Sequence, residues 1–122
     1  MLQIRKEQMA AFEKAMKRSF ENRVVAHLRM RFPQECRQMP EEAIRETIRT
    51  GIARAEDYGV HVEHDVVRYI ELMYRLSPDF DSAPSTPWAA ATLRRSDLDG
   101  HAKMNELCAR ADRDLPSEAV GG

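Results

Sequence analysis

The sequence predicts an all-α fold: one small domain of four to five helices, opened by a long N-terminal helix. Three observations predict it. Apolar residues recur at steps of three and four through most of the chain, which is the period of a single helix face. Proline and glycine punctuate those stretches near their ends. No alternation of apolar and polar residues runs long enough to make a strand. A chain of 122 residues that is 43% apolar and 32% charged suits amphipathic helices, each with one buried stripe around a single core.

The first helix is predicted over residues 4–31, before Pro33. Met9, Phe12, Met16, Phe20, Val24, Leu28 and Phe32 form one stripe, a step of three followed by repeated fours. Repeated fours drift away from a 3.5-residue repeat, so a long coiled coil is a poor reading. At the rise of an α-helix this segment is roughly 40 Å long. A compact domain of this size has a radius of gyration near about 14 Å, so the helix overhangs the domain or bends around residues 19–22.

The second helix is predicted over 40–58. Pro40 fits its first position, Glu41 and Glu42 complement the positive dipole end, and Gly59 fits the position after the last turn. Ile44, Ile48, Ile52, Ala55 and Tyr58 form its stripe. Gly51 interrupts it at a cost of about 1 kcal/mol against alanine, which predicts close approach of a neighbouring helix. A third helix, over 63–76, presents Val66, Tyr69, Ile70, Met73 and Leu76 and stops before Pro78. Ile48, Ile52, Tyr69, Ile70 and Met73 are the predicted core of this pair. The stretch 77–86 reads as the longest loop. Thr86 is placed as the cap of a short helix through Trp88 and Leu93, and Asp99 as the cap of a last helix over 100–110. Residues 1–113 are thus predicted as one helical domain, and 114–122, which lack periodicity, as a disordered tail.

Net charge is −1, which gives no global reason to bind nucleic acid or an anionic membrane. Charge is unevenly spread: residues 1–37 carry +5, residues 38–60 carry −2 and residues 61–122 carry −4. Internal pairing between helices accounts for this most simply. Cys36 and Cys108 make no CxxC and have no zinc-ligand spacing around them, which predicts reduced thiols. No apolar leader opens the chain, and no apolar run approaches a membrane span. The protein is therefore predicted to be cytoplasmic.

Catalytic and metal signatures are weak. His61 and His64 stand three apart, but a metal needs three or four converging ligands and no HExxH occurs. Asp79 and Asp81 flank Phe80 without the further ligands of a calcium loop. Neither cysteine lies in a nucleophile motif, no serine has a GxSxG elbow, and no glycine-rich phosphate loop exists. The chain is predicted to be no enzyme and to need no cofactor or metal. The helices over 40–58 and 63–76 mimic a helix-turn-helix, but Glu63 and Asp65 open the would-be reading helix, which argues against an anionic groove.

One long string is distinctive: Ile48-Arg49-Thr50-Gly51-Ile52, then Ala55, Tyr58-Gly59-Val60, Asp65-Val66 and Arg68-Tyr69-Ile70. Together with Asp79-Phe80-Asp81, Pro87-Trp88-Ala89 and the opening Ile4-Arg5-x-Glu7-Gln8-Met9, it resembles small, mostly uncharacterised helical bacterial proteins encoded beside type VI secretion spike and toxin genes. The chain departs from that pattern at Ser77-Pro78, where a glycine and a charged residue are expected. The resemblance implies a setting, toxin delivery between bacteria, and a protein partner there: an effector or toxin, or a spike component. An adaptor or chaperone for a secreted effector fits best. An immunity protein that plugs a toxin is the alternative, and a small DNA-binding regulator is a third.

The predicted interface has two parts. Phe12 and Met16 are apolar anchors on the overlong first helix, with Arg5, Lys6 and Lys14 as a polar rim. Asp79, Phe80 and Asp81, with Trp88, are read as an exposed recognition tip. Apolar residues without internal cover bind a partner or make the chain associate with itself, so a homo-oligomer is the competing outcome.

Overall fold

A computed structural model describes residues 6–114, with side chains described from residue 14 onward. The described residues form six helices and no strand: α1 (Lys6–Arg31), α2 (Pro33–Arg37), α3 (Glu41–Asp57), α4 (Glu63–Arg75), α5 (Pro87–Leu93) and α6 (Gly100–Asp114). The fold is all-α, with a long N-terminal helix. The expected tail lies outside the described residues except for Asp114, which ends α6. The chain divides into two compact units, Met1–Ile48 and Arg49–Gly122, with the boundary inside α3.

In the first unit, α1 runs through residues 19–22 without a break. Its stripe is buried from Phe20 onward, with Val24, Val25 and Leu28 enclosed, while Met16 is 49% exposed. Pro33 has no N–H to continue the helix. The chain therefore leaves helical geometry at Phe32 (φ −130°, ψ 63°) and restarts as α2 with Pro33 in its first turn. The single turn of α2 is too short to carry a period, so the sequence does not announce it. Pro40 stands one position before α3, and its carbonyl accepts from the N–H groups of Ala43 and Ile44. Arg45 joins α3 to α1 by donating to Glu21 at 2.6 Å and Asn22 at 2.9 Å, and Arg29 donates to Glu41 at 3.0 Å.

The second unit is built on two glycine contacts. A Cβ on Gly51 would lie 2.7 Å from Cγ1 of Ile70 and 3.0 Å from Sδ of Met73, so α3 and α4 approach as the interrupted stripe predicts. The buried register of α3 passes through Gly51, and Ile52, one position round the helix, is only half-buried. The expectation of a fully buried Ile52 is corrected accordingly. Ile48, Tyr69, Ile70 and Met73 are buried as expected.

The second contact closes α3. Gly59 has φ +82°, its N–H donates to Glu56, and that of Val60 donates to Ala55. This is the pattern in which a left-handed residue satisfies the last helical carbonyls. Against that turn sits the start of α6, where a Cβ on Gly100 would fall 2.2 Å from the Gly59 oxygen. Asp99 caps α6, accepting from the Ala102 N–H at 2.8 Å. Lys103 is buried, and its ammonium donates to the Tyr58 carbonyl at 2.9 Å. A cation there complements the negative end of the α3 dipole. Thr86 precedes α5 without capping it through its side chain; its hydroxyl donates instead to the Phe80 carbonyl at 2.8 Å.

Candidate functional site

The predicted site residues fall in three places. Arg5 and the side chains of Lys6 and Phe12 lie outside the described set. From Lys14 to Ser19 all six consecutive side chains are exposed, Met16 among them. Six helical residues sweep more than one full turn. This stretch of α1 therefore has no covered face.

The 77–86 segment behaves in the opposite way. Phe80 is fully buried and Asp81 nearly so, which corrects the expectation of an exposed recognition tip. Successive turns close the segment, with N–H groups of Phe80, Ser82 and Thr86 donating to carbonyls of Ser77, Asp79 and Ala83. This winding turns the Phe80 ring inward, where its centroid lies 4.9 Å from that of Tyr69. Arg54 donates to the Pro78 carbonyl at 2.8 Å and to Asp79 at 3.1 Å, and approaches Asp81 at 3.7 Å. Tyr58 donates to Asp81 at 2.7 Å. Burial, then the hydrogen bond and charge of Asp81, push the Tyr58 phenol up to about 12. Burial likewise raises Tyr69, with the Asp81 charge adding to it. Both phenols thus remain protonated near neutrality, and the two acids anchor the loop to α3. Of the predicted tip only Asp79 is exposed, and it is already paired.

Trp88 is half-buried on α5. It lines a surface notch of about 280 Å³ with Thr92 of α5 and Glu106, Ala109, Arg110 and Arg113 of α6. The Arg110 guanidinium lies over the indole, 5.3 Å from its centroid, and its Nε donates to Asp114 at 2.7 Å. Glu106 accepts from Arg95 at 3.2 Å.

Sequence reasoning missed a polar cluster between α4 and α6. Asp65 is 2% exposed; it accepts from Arg68 at 2.6 Å and lies 3.1 Å from Nδ1 of His101 through both oxygens. Burial pushes the Asp65 carboxyl up, but the hydrogen bonds and charges of Arg68 and His101 outweigh it and hold it below its usual value. Arg68 also donates to Asn105 at 3.0 Å. A carboxylate holding an imidazole is half of a nucleophile-activating arrangement, which needs a hydroxyl or thiol on the other nitrogen. Among the described residues no such group hydrogen-bonds to His101. The cluster's effect is to tie α4 to α6. Its only sequence signal is an Asp and an Arg three apart, because the imidazole comes from 36 residues away.

His61 and His64 are both exposed. Among the described residues no group of three or more His, Cys, Asp or Glu side chains converges. Cys36 and Cys108 are free thiols, and burial raises the Cys108 pKa. No helix among the described residues is long and apolar enough to cross a membrane. In comparisons with known proteins, the chain matches no family model, no curated protein and no solved structure.

Proposed function

We propose that the chain is a non-enzymatic, protein-binding module: an adaptor or chaperone that holds a secreted bacterial effector in the cytoplasm before type VI delivery. The observation that carries the binding role is the fully exposed turn at residues 14–19, where Met16 stands uncovered among Lys14, Lys17 and Arg18. Methionine adapts to varied surfaces, and flanking cations set orientation and on-rate against an acidic partner. The type VI setting rests on the resemblance of the sequence strings to neighbours of spike and toxin genes. The immunity alternative draws on the acidic loop, of which Asp79 alone is exposed and is paired with Arg54.

The test is co-expression with the products of neighbouring genes, using Phe12→Ala together with Met16→Ala. Co-purification should be lost, while the melting temperature of the isolated chain moves by less than about 4 °C. A collapse of stability with binding retained would assign the stripe to the core and overturn this reading.

A further inference from the structure

The notch between α5 and α6 has a charge balance that identifies what it accepts. Glu106 shares Arg95, at 3.2 Å, with Asp97, which holds the same guanidinium at 2.5 Å, and Arg110 pairs with Asp114 at 2.7 Å. Arg113 is exposed and has no ion-pair partner among the described residues. Among the charged groups lining the notch, Arg113 is therefore the guanidinium left to pair with a ligand, and a guanidinium favours a carboxylate through a planar, paired geometry. Beside it stands the half-buried indole of Trp88, with Ala109 and the Thr92 side chain completing the wall. An indole gives a flat ligand a large contact at small entropic cost, which is why Trp and Arg dominate interface hot spots.

We propose that this notch seats a carboxylate carried next to an aromatic side chain, supplied by an acidic segment of a partner polypeptide. Size favours a polypeptide over a free metabolite. At about 280 Å³ the notch is below the usual range for small-molecule sites, which also enclose most of their ligand. It fits one or two side chains of a larger partner. This deepens the protein-binding reading and rests on it, but it is read by a different signal from the α1 contact, so either can fail alone.

Trp88 is the chain's only tryptophan, so intrinsic emission of the full chain reports on the notch. Titration with N-acetylphenylalanine should shift that emission saturably. Its neutral amide should bind at least about tenfold more weakly, because the charge-assisted hydrogen bond is gone. Arg113→Gln lies on an exposed position; it should weaken the acid by about tenfold and leave the amide unchanged. A Phe-Asp dipeptide capped at both ends should compete with the acid. The proposal is overturned if acid and amide bind alike, if Arg113→Gln has no effect, or if no shift occurs. Inorganic phosphate reproducing the shift would reduce the notch to a plain anion site. Failure of the capped peptide would assign it to metabolites, and an emission change that follows the chain's own concentration would assign it to a second copy. Each of these overturns the proposal.

Discussion

Residues 14–19 and residues 77–86 exchange the roles that secondary structure usually gives them. The first stretch is regular helix, yet every side chain in it is exposed. The second is a proline-bounded loop, yet it buries a whole phenylalanine and the aspartate beside it. Burial follows the supply of partners, not the regularity of the backbone. The loop finds them on α3, the turn after it and α4: Arg54, Tyr58 and Tyr69 meet Asp79, Asp81 and Phe80. The helical turn has none among the described residues that covers it.

The sharpest way to break this contrast is to truncate both apolar residues. Phe80→Ala should cost about 3–5 kcal/mol, the usual range for a fully enclosed phenylalanine. Met16→Ala should cost less than about 0.5 kcal/mol, as exposed substitutions do. Urea melts of the two variants measure the difference, and equal losses would end the comparison.

Gly100→Ala should follow, at about 1–3 kcal/mol. The added Cβ meets the backbone of Gly59 and Val60, and backbone cannot move aside as a flexible side chain does. Thermal unfolding checks it, and an unchanged midpoint would show that the α3–α6 junction gives way freely.

The smallest effect expected is one of pH. Asp65 has a folded pKa below its unfolded value, so its contribution is present above the unfolded pKa. It is lost as pH falls through the folded one. Asp65→Asn should therefore narrow the stability difference between neutral and strongly acidic solution. Urea midpoints across the acid range for the two proteins decide this, and parallel curves would remove Asp65 from the acid response.

Much of this fold is legible in the sequence where the signal is local. Gly59 announces the end of α3 because only the left-handed region closes that turn without strain, and Asp99 announces α6 because its carboxylate reaches the first N–H groups. Gly51 announces a close neighbour but not which one. The register of Ile52 is misread because the apolar stripe counts Ile over Gly, while the packing selects the smaller residue. Phe80 is misread for a related reason. A phenylalanine between two acids in a loop looks exposed until Arg54 and Tyr58, more than 20 residues upstream, take up the acids. The Asp65–His101 pair and the Trp88 notch are built from separate helices, and no spacing along the chain encodes either.

The buried Lys103 has a consequence for how the chain is made. Its ammonium completes the end of α3 at Tyr58 from 45 residues downstream, and Gly100 closes on Gly59 from nearly as far. During synthesis the Tyr58 carbonyl and the Gly59 turn therefore emerge before the groups that cover them. At ordinary elongation rates the missing pieces arrive on the order of a few seconds later. The junction of α3 with α6 can close only after α6 has emerged.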